Sequence, residues 1–354
     1  MSRFFSEKYR ALTPYTPGEQ PRDMVYTKLN TNESPFAPHP AVIEAAAAAA
    51  KTLQLYPDPE NTLLVQKLCE VCGVNKERVM INNGSDETLQ FAFMAFCDET
   101  HPAVFADITY GFYPVFARLC GVPYTLLPLK DDFTIDVAQY VGVNKTVFIA
   151  NPNAPTGAAL TLAEIERIAA GNPNNVVVID EAYVDFGAES AVRLTDRYEN
   201  LLVVQTFSKS RSLAGGRLGF AIGSEALIAD LNTIKYSTNP YNINRMTAAA
   251  GTAALEHEDY TRRNCAVIME NRAYTVAELE SLGFTHTNSL ANFIFVKNEK
   301  IDGKTLYLEL KKRGVLIRHF ETPRIKDYNR ITIGSREQMD ILLTRVRELL
   351  EENK

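Results

Sequence analysis

Through the middle of the chain, short apolar runs alternate with stretches of helical periodicity. Val79-Met80-Ile81, Ala103–Ala106, Thr146–Ala150, Val176–Ile179 and Leu201–Val204 are continuous rather than alternating apolar runs. That pattern predicts strands buried on both faces, as in a parallel sheet covered by helices. The helical segments are Pro40–Leu55, with its proline early as capping allows, and Asn61–Cys72, stopped by Gly73. A third runs from the Asn83–Asp86 turn through Phe96, and a fourth ends at Ala170. Strands and helices in alternation predict the α/β class with a mostly parallel sheet. Around Asn239-Pro240-Tyr241 the pattern changes. Residues Arg245 to Leu282 read as one long helical region with room for a kink. Strand-like Asn292–Val296, Val315–Arg318 and Arg330–Ile333 follow, with helices over Gly303–Arg313 and Glu337–Leu350. The expected division is a Pro-rich arm over 1–35, a large domain over 36–245 and a small α+β domain over 246–354. The arm has too little regular pattern to be ordered without docking.

Composition narrows the classes. The 354 residues are 46% hydrophobic and carry a formal net charge of −6. This is a globular share, and it offers no electrostatic footprint for a nucleic-acid backbone. No apolar run nears the roughly 18 residues that span a bilayer, and Met1-Ser2-Arg3-Phe4 does not begin a signal peptide's apolar core. A cytoplasmic protein is expected. The five cysteines are an odd, sparse set, expected as reduced thiols, and Cys69-x-x-Cys72 falls in a helix with no second pair. The five histidines are scattered without metal-ligand spacing, and no Gly-x-Ser-x-Gly turn accompanies them. No metal site is expected.

Candidate chemistry sits where strands end, because open parallel sheets bind ligands outside their carboxyl edge. Asn83-Gly84-Ser85-Asp86 opens a helix, so its free N–H groups can hold an anion; simple capping by Ser85 or Asp86 fits the same pattern. Asn151-Pro-Asn-Ala-Pro-Thr-Gly157 is either a rigid turn or the presenter of an amide to a ligand. Asp180 ends a buried run, as a helix cap or as a carboxylate awaiting a partner. Thr206-Phe-Ser-Lys209-Ser-Arg211 is the sharpest signal. A lysine straight after a buried strand, flanked by hydroxyls, is placed for Schiff-base chemistry rather than for solvation. Arg217 lies eight residues on, among glycines. One cofactor uses all these parts: a pyridoxal ring needs a lysine for its aldehyde, an acid at its ring nitrogen, and an arginine with backbone N–H groups for its phosphate.

In this combination the chain resembles the fold-type I pyridoxal-phosphate enzymes, and among the class II subgroup the histidinol-phosphate aminotransferases. The likeness covers nearly the whole chain. It is carried by Leu12-Thr-Pro-Tyr15, Leu29-Asn-Thr-Asn-Glu33-Ser-Pro35, Tyr56-Pro-Asp-Pro59, Asn83–Glu87, Asp180-Glu-Ala-Tyr183, Thr206-Phe-Ser-Lys209 with Arg217, and Arg330-Ile-Thr-Ile-Gly334. The resemblance implies a large domain with a mostly parallel seven-stranded sheet between helices, and a small α+β domain joined by the arm. It implies pyridoxal 5'-phosphate bound to Lys209, with Asp180 at the ring nitrogen and Tyr110 stacked on the ring. Tyr183 and Asn153 would meet the ring hydroxyl, and Gly84, Ser85, Asp86, Thr206, Ser208 and Arg217 the phosphate. Tyr56 would come from a partner subunit, making a homodimer with shared sites. Tyr15, Asn32, Arg318 and Arg330 would bind substrate. The family has Asn immediately before Pro-Thr-Gly; Ala154 stands there, and a shift of the loop is expected to let Asn153 substitute. The implied reaction moves an amino group between L-histidinol phosphate and 2-oxoglutarate. An aromatic aminotransferase and a phosphothreonine decarboxylase share the same cofactor motifs.

Overall fold

The computed structural model describes residues 2–352. The arm contributes one short strand, β1 (Thr27–Lys28), followed by helices α1 (Pro40–Ala50) and α2 (Thr62–Cys72). The alternating region then runs β2 (Val79–Asn82), α3 (Gly84–Phe96), β3 (Ala103–Ala106), α4 (Tyr113–Cys120), β4 (Tyr124–Leu127), β5 (Thr146–Ala150), α5 (Leu162–Gly171), β6 (Val177–Asp180), β7 (Leu201–Thr206), β8 (Gly219–Ile222) and α6 (Glu225–Thr238). The last third is α7 (Arg245–Glu256), α8 (Glu258–Ser281), β9 (Phe284–His286), β10 (Phe293–Asn298), α9 (Gly303–Lys312), β11 (Val315–Leu316), β12 (Arg318–His319), β13 (Asn329–Thr332) and α10 (Arg336–Glu352).

Seven strands form one sheet in the order β2-β8-β7-β6-β5-β3-β4, with β8 alone running against its neighbours. Continuous apolar runs pay off here because both faces are covered. Val147, Ile149, Val177, Ile179, Leu201 and Val203 pack toward α5 on one side. Phe148, Ala150, Val178, Leu202 and Val204 pack toward α3, α4 and α6 on the other, as strand alternation requires. The carboxyl ends of β2, β3, β5, β6 and β7 share one edge. A four-stranded antiparallel sheet, β12-β13-β10-β9, packs with α8, α9 and α10 around a second apolar core that also takes in Leu29 of the arm.

Four features depart from the sequence reading. The helix expected to Leu55 ends at Ala50, where Lys51 and Thr52 close into a tighter turn ahead of Pro57. The expected 245–282 helix is two, broken at His257 (φ −119°, ψ 40°). The strand expected over 315–318 divides: β11 pairs with β1 from the arm, and β12 with β13. Strands β4 and β8 were not expected; β4 is a half-exposed edge and β8 hides among glycines. The arm is docked, as expected. The Tyr15 ring stacks on Phe112 at 4.3 Å. Glu19 pairs with Lys311 and accepts from Tyr307 at 2.5 Å.

Candidate active site

At the carboxyl edge of the large sheet lies a cavity of about 570 Å³, lined also by the arm and by Arg318 of β12 and Arg330 of β13. Its wall includes Lys209, Asp180, Tyr183, Tyr110, Ser85, Asp86, Thr206, Ser208, Arg217, Tyr15, Asn32, Arg318 and Arg330. Residues scattered over more than 300 positions meet because each strand end delivers one loop to the same edge.

One end is built for an anion. β8 runs between β2 and β7, with Gly219 in register with both Asn82 and Thr206. A Cβ on Gly219 would sit 2.4 Å from the Ser85 nitrogen, so only glycine lets the start of α3 approach. Gly84 has φ +76°, and a Cβ there would lie 2.6 Å from Arg217 Nη2. Arg217 itself takes the left-handed region at φ +53° and donates to Asp86 Oδ2 at 3.1 Å. The other Asp86 oxygen accepts from the Tyr110 hydroxyl at 2.7 Å. Burial, with Asp86 alongside, holds the Tyr110 phenol well above its usual range. The hydroxyls of Thr206 and Ser208 lie 2.9 Å apart beside this cradle. Helix start, guanidinium and hydroxyls together make a phosphate-sized anion site.

At the cavity floor, Asp180 is buried, with 4% exposure. It accepts from the Tyr113 hydroxyl at 2.9 Å and from the Ala182 N–H at 3.3 Å, and no cationic side chain pairs with it among the described residues. Desolvation, opposed by the Tyr113 bond and helped by the charge of Asp86, pushes its carboxyl up to about 7. A carboxylate left this way calls for a protonated partner from the cavity. Lys209 follows β7, and its Nζ reaches the Thr31 carbonyl at 3.3 Å and lies 5.8 Å from the Tyr183 ring centre.

The opposite wall is cationic. Arg330 is surrounded by protein but keeps an edge on the cavity, between the Phe293 and Phe320 rings at 5.3 and 5.9 Å. Its Nη2 donates to the Asn30 carbonyl at 3.0 Å, and its Nε has no partner. Burial pulls this guanidinium below its usual value, so an anion here would be welcome. Arg318 reaches the Thr16 and Pro17 carbonyls at 3.4 Å, feels the charge of Glu19, and makes no ion pair among the described residues.

Asn153 and Asn32 are engaged within the protein, and Tyr56, expected from a partner subunit, lies outside this chain's own cavity. The Asn153 amide accepts from Thr109 at 2.7 Å and donates to the Ile108 carbonyl and to Thr156, both at 3.0 Å; Ala154 rather than Asn153 lines the cavity. Tyr56 is 76% exposed and away from this cavity, stacked on Tyr241 at 4.7 Å. Asn32 bonds to protein on every side. Sequence reasoning missed Tyr113, whose only sign was its place in the aromatic run Tyr110-Gly-Phe-Tyr113. It also missed Arg324, which bridges Asp107 and the Leu129 and Lys130 carbonyls.

The model of the aminotransferase class I and II family matches residues 25–346. The chain belongs to this aminotransferase family. The histidinol-phosphate aminotransferase of Brachyspira hyodysenteriae is 47% identical over 353 residues, 99% of this chain and all of that protein. That of a Marinomonas species is 48% identical over 353 residues, with the same coverage. The solved histidinol-phosphate aminotransferase of Sinorhizobium meliloti, in complex with pyridoxal 5'-phosphate, superimposes with a TM-score of 0.91. It covers all of this chain and 99% of that one, at 23% identity, and so shows the fold. This aminotransferase therefore has the fold-type I architecture, and its family uses pyridoxal 5'-phosphate. The donor set fits that group: an anion cradle, an unpaired buried acid and a lysine open onto one cavity.

Proposed function

We propose that this aminotransferase moves the amino group of L-histidinol phosphate to 2-oxoglutarate, giving imidazole acetol phosphate and L-glutamate in cytoplasmic histidine biosynthesis. The observation that carries this reading is the convergence on one cavity of Lys209, Asp180, Arg318 and Arg330, the last three without an ion-pair partner among the described residues. The full-length likeness to curated histidinol-phosphate aminotransferases supports the choice of substrate over an aromatic amino acid or phosphothreonine.

Gly84, Ser85, Asp86, Thr206, Ser208 and Arg217 would hold the cofactor phosphate, and Tyr110 would lie along the ring. Pyridoxal 5'-phosphate supplies an aldehyde that captures amines and a protonated ring that withdraws electrons from the adjacent carbon. Asp180 would face the ring nitrogen and hold its proton. Lys209 would anchor the cofactor through its amine and would serve as the base that moves a proton during the reaction. Its amine donates to the Thr31 carbonyl and makes no ion pair among the described residues. Arg330 and Arg318 receive the carboxylates of 2-oxoglutarate in one half-reaction and the substrate phosphate in the other, with Tyr15 closing over them. The arm residues Tyr15, Gly18 and Asn30 to Glu33 line the same cavity.

The test is a visible spectrum of the purified holoenzyme as amino donors are added one at a time, followed by turnover with 2-oxoglutarate. L-histidinol phosphate should bleach the absorption band and turn over. Lys209→Ala should lose roughly 10³-fold or more in turnover while remaining folded. Turnover of phenylalanine or phosphothreonine without histidinol phosphate would overturn the substrate, and an active Lys209→Ala would overturn the lysine's role.

A further inference from the structure

Resemblance assigns Asn32 to the substrate, but its surroundings point elsewhere. It is buried (1% exposed) and takes the left-handed region at φ +58°. Such a conformation persists in a non-glycine residue when its neighbours hold it in place. Here every polar group of Asn32 is engaged. Its N–H donates to Thr332 Oγ1 at 3.0 Å, and its carbonyl accepts from Asn292 Nδ2 at 3.0 Å. Its Oδ1 accepts from Thr332 Oγ1 at 3.0 Å, and its Nδ2 donates to the Tyr183 hydroxyl oxygen at 2.9 Å.

These bonds have a fixed direction. The Thr332 hydroxyl accepts the Asn32 N–H with one lone pair and donates its single proton to Asn32 Oδ1. That pins the amide with its oxygen toward Thr332 and its nitrogen toward Tyr183. The amide proton then occupies a lone pair of the Tyr183 oxygen, and the phenol's own proton must point away from Asn32. No protein acceptor takes it among the described residues. Tyr183 lines the cavity, its ring set edge-on against Phe293 at 5.1 Å. On the neighbouring wall Ala154 offers no donor, and the Asn153 amide is spent on its own loop.

We infer that Asn32 is a positioning residue for the cofactor: through a Thr332–Asn32–Tyr183 relay it aims the Tyr183 hydroxyl proton into the cavity, at the ring oxygen of pyridoxal 5'-phosphate. This rests on the reading that the cavity holds that cofactor on Lys209. A bond donated to the ring oxygen favours its anionic form, and so weakens the hold of the conjugated Lys209 nitrogen on its proton. Asn32 thereby lowers the pH at which that nitrogen loses its proton without touching substrate.

The readout is the pH midpoint of the visible absorption band of the holoenzyme, without substrate. Tyr183→Phe should raise the midpoint by about one unit. Asn32→Ala, and the shape-preserving Thr332→Val, should each raise it by roughly half as much. Neither should add anything further in the Tyr183→Phe background. A merely structural role would lower melting temperature and leave the midpoint in place. An unmoved midpoint in whichever of the two variants folds overturns the relay, as does a shift that persists undiminished beside Tyr183→Phe. A wild-type protein with no band at all overturns the cofactor reading and the relay with it.

Discussion

Asp180 and Glu181 are neighbours in sequence, equally buried, and both are held near pH 7 by desolvation. Strand alternation turns them to opposite sides, and their partners differ. Glu181 accepts from the Ala191 N–H at 2.6 Å, from Gln205 Nε2 at 2.7 Å and from the Ser190 hydroxyl at 2.6 Å. Its bonds are complete within the protein. Asp180 has the Tyr113 hydroxyl and one long backbone bond, and keeps acceptor capacity toward the cavity. Its carboxyl stands at about 7 against an ordinary 3.8, so between those values the folded protein holds a proton that the unfolded chain has lost. Stability from this group therefore falls as pH rises through that window and is lowest above 7. In the cofactor-free protein, Asp180→Asn should match wild type near pH 4 and gain on the order of 2–4 kcal/mol at pH 8. Adding pyridoxal 5'-phosphate should reverse the order, because only the carboxylate gains a charged partner. Melting temperatures against pH, with and without cofactor, read both effects. A cofactor-free Asp180→Asn that melts no higher than wild type at pH 8 would show that the acid is already paired.

The loop that presents Lys209 is tied to the rest of the molecule by the residue two positions on. Arg211, with a side chain 7% exposed, donates from Nε to Glu258 at 2.8 Å and lies 3.6 Å from Asp185. Glu258 begins α8, directly after the break at His257, and Asp185 also takes the Ser210 hydroxyl. The strand β7 loop, the turn after β6 and the long helix thus meet at one guanidinium. Removing it strands Glu258, whose side chain is only 19% exposed, beside the more open Asp185. Arg211→Met should cost about 3–5 kcal/mol in chemical denaturation, and Arg211→Met with Glu258→Met should recover part of that. A single variant costing under about 1 kcal/mol would mean the acids are solvated. At this scale the sequence shows what packing dictates and hides what pairing dictates. Strands β3, β5, β6 and β7 are legible because two covered faces force unbroken apolar runs. Strand β8 is not, because its opening Gly219 serves the approach of α3 rather than the sheet. The split of Val315–Arg318 is invisible because it depends on an arm strand nearly 290 residues upstream. Lys209, Asp180 and Arg217 show themselves by charge at strand ends; the Tyr113 and Thr332 partners do not, since a buried hydroxyl leaves no pattern.

Tyr56 poses the question of the whole molecule, for it is a motif residue with no place in its own cavity. It projects with Tyr241 from a surface that also exposes Leu53, Leu55 and Leu63, more than half of each side chain open to solvent. Arg245 at the start of α7 holds the Tyr56 carbonyl at 2.9 Å, so the segment is fixed rather than loose. A fixed apolar patch carrying an aromatic hydroxyl suits a twofold interface, in which each subunit lends Tyr56 to the phosphate cradle of the other. Complementation tests this directly. Lys209→Ala and Tyr56→Ala proteins, each impaired alone, are unfolded together, refolded and assayed. In a mixed dimer, one site combines the intact Lys209 of one subunit with the intact Tyr56 of the other. Random pairing makes half the dimers mixed with one good site each, so activity should return to about a quarter of wild type. If Tyr56 acted within its own subunit, no site in any mixed dimer would hold both residues, and the mixture would regain nothing beyond the sum of its parts.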